Sequence, residues 1–154
     1  MTPAITLLKK RKIAHQVLKY THEVDAPSYG LEASEKLSLD ANTVFKTLIV
    51  ELDSKELVVG LVPVNNKLNI KALAKAAGVK KAAMASPERV ERSSGYILGG
   101  VSPLGQKKAL RTFIDESASS LPAMHVSAGR RGLEIKIAPT DLQQLTRAQF
   151  VTLV

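Results

Sequence analysis

At 154 residues the chain has single-domain length, with a 45% hydrophobic content suited to a globular core. The absence of cysteine excludes disulfides, thiolate metal sites and a cysteine nucleophile together, and no apolar run reaches the roughly 20 residues that span a bilayer. A net charge of +8 points to a polyanionic partner, nucleic acid above all, although a merely soluble basic surface has the same balance.

Aromatic residues make up 4% of the chain and Trp is absent, so a broad base-stacking platform does not fit. Recognition through backbone phosphates and one terminal nucleotide fits better. The N-terminus "MTPAITLLKKRK" places apolar residues before charged ones, the reverse of a secretory signal, and the expected location is the cytoplasm.

Thr2-Pro3 reads as an N-cap with proline at the first helical position. That helix turns Leu7 and Leu8 inward and ends in the basic run 9–12, favourable at its negative dipole end. A short strand is expected over 14–20, and a helix starting after Gly30 with Leu31 and Leu37 toward the core. "TVFKTLIVEL" and "ELVVGLVPV", separated by "DSK", predict a hairpin. Asn69 caps a helix that stops at Gly78, and Ser86-Pro87 opens another. Three strand candidates follow, "LRTFID", "AMHVSA" and "LEIKIA". Thr140 is placed to cap a last helix before the apolar tail "QFVTLV".

Strands often follow strands directly, which argues against a doubly wound parallel sheet. The expected fold is a single α+β domain, its mixed, mainly antiparallel sheet barrel-like and flanked by helices.

Three stretches carry possible chemistry. The first is "GGVSPLG", residues 99–105, uncharged in a lysine-rich chain. Gly100 and Gly105 have P-loop separation, but Gln106, Lys107 and Lys108 follow where Lys and Ser or Thr are required, and Pro103 removes an amide donor. The loop is therefore either a plain turn or a backbone surface whose amides meet a carbonyl or oxyanion. The second is Lys46, the sole cation of "TVFKTLIVEL", where alternation sets Val44, Lys46, Leu48 and Val50 on one face and Phe45, Thr47 and Ile49 on the other. With both faces apolar, such a lysine snorkels, pairs with an acid, or serves a site. The third is "SAGRRGLEI", whose paired arginines either lie solvated in a hairpin loop or fix a phosphate.

His15, His22 and His125 show no metal-ligand spacing, and no acid completes a triad with His125 and Ser127. Neither a metal nor a cofactor is expected.

"VFKTLIV", "GYILGGVSPLGQKK" and "VSAGRRGLEI", in that order and spacing, resemble the YbaK/EbsC family of aminoacyl-tRNA deacylases, free-standing relatives of the editing domain of prolyl-tRNA synthetases. The resemblance spans residues 1–154 and is strongest to the YbaK branch, which clears cysteine mischarged onto tRNA for proline. It implies a pocket for the aminoacyl end of tRNA. The family's functional lysine falls on Lys46, beside Thr47, and the glycine-loop positions on Gly99, Gly100, Val101 and Ser102. Ser127 and Gly129 match the serine-glycine turn, and Tyr20 and Tyr29 the pocket wall. Glu134 stands where some relatives carry Asp, which keeps an acid with a longer reach.

The resemblance also implies that the substrate's own cysteine thiol attacks its ester, releasing a thiolactone and free tRNA. Lys46, Gly100 and Ser102 would then be the catalytic group, and Cys-tRNA(Pro), with prolyl-tRNA synthetase alongside, the partners. Two other readings stay open on the residues: a tRNA-binding accessory of a synthetase without chemistry, and a deacylase for a different misacylated amino acid.

Overall fold

The computed structural model describes residues 1–24 and 28–154. The chain order is α1 (Pro3–Lys10), β1 (Gln16–Lys19), α2 (Tyr29–Lys36), β2 (Phe45–Leu52), β3 (Leu57–Pro63), α3 (Ile70–Ala77), β4 (Ala82–Met84), α4 (Pro87–Ser94), β5 (Arg111–Asp115), β6 (Met124–Arg130), β7 (Leu133–Ile137), α5 (Pro139–Thr146) and β8 (Gln149–Val151). Short 3-10 turns precede β2 and follow β5.

Helix ends follow local chemistry. The side chains of Thr2, Ser28, Asn69 and Ser86 each accept an amide N–H of the first turn. α3 stops at Gly78 and α4 at Gly95, both left-handed, with φ of 86° and 82°. Two expectations need correction. α5 starts at Pro139 after Ala138, with no side-chain cap, and Thr140 lies inside its first turn. α2 starts at Tyr29 and buries Glu32, Ala33 and Ser34, leaving Leu31 37% exposed. The reason is polar: Glu32 accepts the Glu23 N–H at 2.8 Å and meets His22 Nδ1 at 2.7 Å, so this face is held against the preceding segment.

The strands form two sheets, β1-β7-β6 and β4-β2-β3-β5-β8. β2 and β3 form the expected hairpin, with Lys46 opposite Val62. β3-β5 and β5-β8 are parallel and the other pairs antiparallel, giving the mixed, mainly antiparallel α+β architecture. The barrel-like curl takes the form of two sheets that pack on a shared core and, among the described residues, are hydrogen-bonded to each other at one bridge, Val44 to His125, without closing. β4 and β8 are three-residue strands, too short to show a period of two in the sequence.

Alternation along β2 and β3 feeds two cores. Phe45, Ile49, Val59 and Leu61 face β6, β7 and α1 through Val126, Ile135 and Leu8. Val50, Leu52, Val58 and Val62 meet Leu73 of α3 and Phe113 of β5 on the other side. β2 is thus central, and Lys46 belongs to a strand covered on both faces.

Candidate active site

The site begins with a gap beside β2. The Val64 N–H donates to the Val44 carbonyl at 2.8 Å, so by antiparallel alternation residues 44, 46 and 48 turn their amide groups toward β3, and Phe45 and Thr47 turn theirs outward. On that outer side β4 pairs only with Val50–Leu52, extended by Ala85 N–H to the Ile49 carbonyl at 3.0 Å. β6 joins this edge by a single parallel bridge among the described residues, His125 to Val44, the residue just before β2. Between them, the outer edge at Lys46–Leu48 has no strand partner among the described residues. A cavity of about 320 Å³ occupies this gap, at the lower end of the range for small-ligand sites.

Because the cavity lies at the edge rather than on one face, Lys46 and Thr47 both line it although they belong to opposite faces of the strand. Lys46 is half-buried, and among the described residues no carboxylate lies within salt-bridge distance of it. Burial, then the charge of Lys67, pushes its ammonium pKa down. Thr47 Oγ1 is buried with no hydrogen-bond partner among the described residues.

Glu134 and Ser127 are directly opposed across β7 and β6, and both line the cavity. Glu134 is 6% exposed and its Oε2 also lacks a partner. Burial raises its pKa to about 8, so the neutral acid predominates at pH 7. Ser127 Oγ accepts the Gly129 N–H at 3.2 Å, within the bulge that shifts register between Ser127 and Arg130. Tyr20, held by its N–H to the Gly132 carbonyl at 3.0 Å, lines the cavity too. Its phenol pKa is raised, chiefly by burial.

A further part of the lining comes from the glycine loop. Gly99 and Val101 line the cavity, whereas Gly100, one residue on, faces a neighbouring cavity with Gly129. The Gly100 N–H donates to the Ile97 carbonyl at 2.9 Å, and a Cβ there would meet Arg130 Cα at 2.7 Å. Gly100 is therefore glycine because two backbone segments touch. Ser102 is fully buried, outside both cavities, and its Oγ accepts the Leu104 N–H at 3.2 Å. Of the expected site residues, eight meet in one cavity: Tyr20, Tyr29, Lys46, Thr47, Gly99, Val101, Ser127 and Glu134. Gly100, Ser102 and Gly129 lie behind or beside them.

Sequence reading passed over several contributors. Leu98, Met84, Ala85 and Val90 supply apolar lining, and Ser28 and Gly30 bring the start of α2 to the rim. Tyr96 is buried and its hydroxyl donates to the Leu104 carbonyl at 2.6 Å, tying down the far end of the loop. Its place in "SSGYILGG", just ahead of the glycines, was the available signal. Of the histidines, His125 carries the bridge between the sheets, and none of the three lines the cavity. No cluster of three metal-ligating side chains occurs among the described residues, and no helix of theirs is long and apolar enough to cross a membrane.

The model of the aminoacyl-tRNA editing domain matches residues 25–145. The chain belongs to this family. A curated relative in Enterococcus faecalis, named "Putative Cys-tRNA(Pro)/Cys-tRNA(Cys) deacylase EbsC", is 36% identical over 149 residues, covering 97% of this chain and 90% of its own length. Solved structures share the fold. One described as a "putative trans-editing enzyme for prolyl tRNA synthetase" has a TM-score of 0.85 and 22% identity, covering 99% of this chain and 97% of that one. A second, described only as a hypothetical protein, reaches 0.87 at 22% identity, with 99% of each chain covered. The cavity beside β2 thus lies within an aminoacyl-tRNA editing domain.

Proposed function

We propose that the chain is a free-standing deacylase that clears cysteine from tRNA for proline, and from tRNA for cysteine as well, through the cysteine thiol of the substrate. The editing unit would span residues 1–154. The name of the 36% identical relative supports the substrate. The observation that carries the chemistry is the composition of the cavity lining. It offers one cation, one acid and several hydroxyls, but no imidazole or thiol. No lining hydroxyl is hydrogen-bonded to a histidine among the described residues, so the Ser-His arrangement that activates a protein nucleophile is missing there.

In this reading the aminoacyl end enters beside Lys46–Leu48. Lys46 holds the terminal phosphate or the ester carbonyl, and Tyr20, Tyr29 and Thr47 bound the aminoacyl group. The thiol sulfur attacks its own ester carbonyl carbon, a carbon–sulfur bond forms, and the bond to the ribose oxygen breaks. The thiol proton ends on that oxygen, and the products are a thiolactone and free tRNA. Gly99 and Val101, the loop residues facing the cavity, sit where negative charge develops. Gly100 and Ser102 act by fixing the shape of that loop, and Gly129 by fixing the turn that carries Ser127. Neutral Glu134 donates a hydrogen bond to the substrate. The site of action is the cytoplasm, with prolyl-tRNA synthetase supplying the mischarged tRNA.

The test compares cysteinyl-tRNA with seryl-tRNA, which differ at one atom of the side chain. A thiol ionises far more readily than an alcohol, so cysteinyl-tRNA should be cleared at least about a hundredfold faster. Comparable rates, or solvent oxygen in the first-formed amino-acid product, would show direct hydrolysis instead.

A further inference from the structure

The paired arginines of "SAGRRGLEI" have no part in the cavity lining described above. They line a second cavity of about 160 Å³, with Ile97, Leu98, Gly100 and Gly129. It adjoins the first. Leu98 lines both, and consecutive Gly99 and Gly100 face one each, so loop 98–100 is the partition.

Its lining has the chemistry of a nucleotide site. Ile97 is 70% exposed and Leu98 38%, two large apolar side chains held in solvent beside a concavity. Arg130 and Arg131 are exposed, no acidic residue is in the lining, and among the described residues no carboxylate pairs with either guanidinium. Arg131 is positioned by its Nη2, which donates to the Leu98 carbonyl at 2.7 Å, and by the Tyr29 ring beneath its Cζ at 4.1 Å. An apolar platform beside two guanidinium groups, neither facing a carboxylate among the described residues, suits a base with its phosphate, since bases stack on such surfaces and Arg donates bidentately to phosphate.

We propose that this second cavity holds the nucleotide preceding the aminoacylated terminal adenosine, its base on Ile97 and Leu98 and a phosphate at Arg130. The assignment rests on the reading of the first cavity as the aminoacyl site, because the RNA must leave that site across its rim. Loop 98–100 then serves both neighbours, the ester on one side and the penultimate nucleotide on the other.

The experiment compares cysteinyl-adenosine with the cysteinyl dinucleotide that adds a 5′ cytidylate. Wild type should process the dinucleotide about tenfold better in kcat/KM. Arg130→Ala and Ile97→Ser should each remove most of that advantage, and leave cysteinyl-adenosine within about twofold of wild type. In parallel, fluorescence anisotropy measures binding of the unacylated, labelled dinucleotide, which Arg130→Ala should weaken at least about fivefold, with a shallower salt dependence. Equal kcat/KM for the two substrates in wild type, or an advantage that survives both substitutions, overturns the proposal. If neither substrate is deacylated, the proposed function fails, and anisotropy still decides the subsite: binding unchanged by Arg130→Ala refutes it, weakened binding supports it.

Discussion

Arg131 lies over the ring of Tyr29, its Cζ 4.1 Å from the centroid, and the pair passes directly above Gly99, where a Cβ would meet Arg131 Nε and Tyr29 Cδ2 at 2.6 Å each. Tyr29 also lies 5.7 Å from the His22 ring, centroid to centroid and tilted by 54°, and His22 is bound to buried Glu32. The rim of the cavity beside β2 is thus a row of contacts running from α2 to the β6-β7 turn. A partly exposed cation–π contact is worth about 0.5–1 kcal/mol, so Arg131→Gln should lower kcat/KM roughly two- to fivefold. The loss should be as large on cysteinyl-adenosine as on longer substrates, which sets positioning of Tyr29 apart from contact with RNA. Unchanged kinetics on cysteinyl-adenosine would leave this row of contacts without a role.

Lys46 loses no ion pair when it is removed, since none is made among the described residues, and burial already disfavours its charge. Lys46→Ala should therefore keep or slightly raise the melting temperature while deacylation falls at least about tenfold, equivalent to about 1.4 kcal/mol of transition-state binding. Paired measurements of melting and turnover check this. A folded variant with full activity removes Lys46 from the mechanism.

Glu134 sets a pH dependence of stability whose sign follows from its raised pKa of about 8, against 4.5 for an ordinary glutamate. Between those values the folded state holds a proton that the unfolded state has released. Its stabilising contribution is complete below about pH 4.5 and is lost as pH rises toward 8. The loss is on the order of 3 to 5 kcal/mol across that window. Glu134→Gln, which cannot ionise, should flatten this part of the curve and retain activity at pH 7 within about threefold. Denaturant midpoints from pH 5 to 8.5 measure the first outcome. An equal slope in the variant would assign the pH dependence to other groups.

Gly100→Ala tests the loop as a packed structure. Its Cβ would lie 2.7 Å from Arg130 Cα, a contact that only backbone movement relieves. The expected cost is about 1–3 kcal/mol, in the range of overpacking, with activity falling in step. A variant of wild-type stability would mean that this backbone contact is looser than the geometry indicates.

Much of the fold was legible because local chemistry writes it. Proline and capping residues start α1, α3 and α4, Gly78 and Gly95 stop two of them, and β-branched runs around a three-residue break make the β2-β3 hairpin. In α2 apolar spacing favours Leu31 inward along with Leu37, but a single buried carboxylate, Glu32, fixes the helix by bonding residues 22 and 23, so Leu31 is left exposed while Leu37 is half-buried. Thr140 failed as a cap because Pro139 occupies the first helical position, which puts the cap at Ala138.

The site divides the same way. The sequence by itself marked Lys46 as anomalous, since a lone cation in an apolar strand needs a reason, and it marked the glycines as places where backbone approaches something closely. It could not tell what they approach. Only the tertiary structure decided that Gly99 meets Arg131 and Tyr29 while Gly100 meets Arg130 Cα. Only it decided that Lys46 and Thr47, on opposite faces of β2, share one cavity. The physical reason is that strand edges are settled by non-local pairing. β4 ends its ladder at Val50 and β6 is bridged only to Val44, just before β2, so the backbone edge between them is left open among the described residues, and no period in the sequence encodes where two distant strands part.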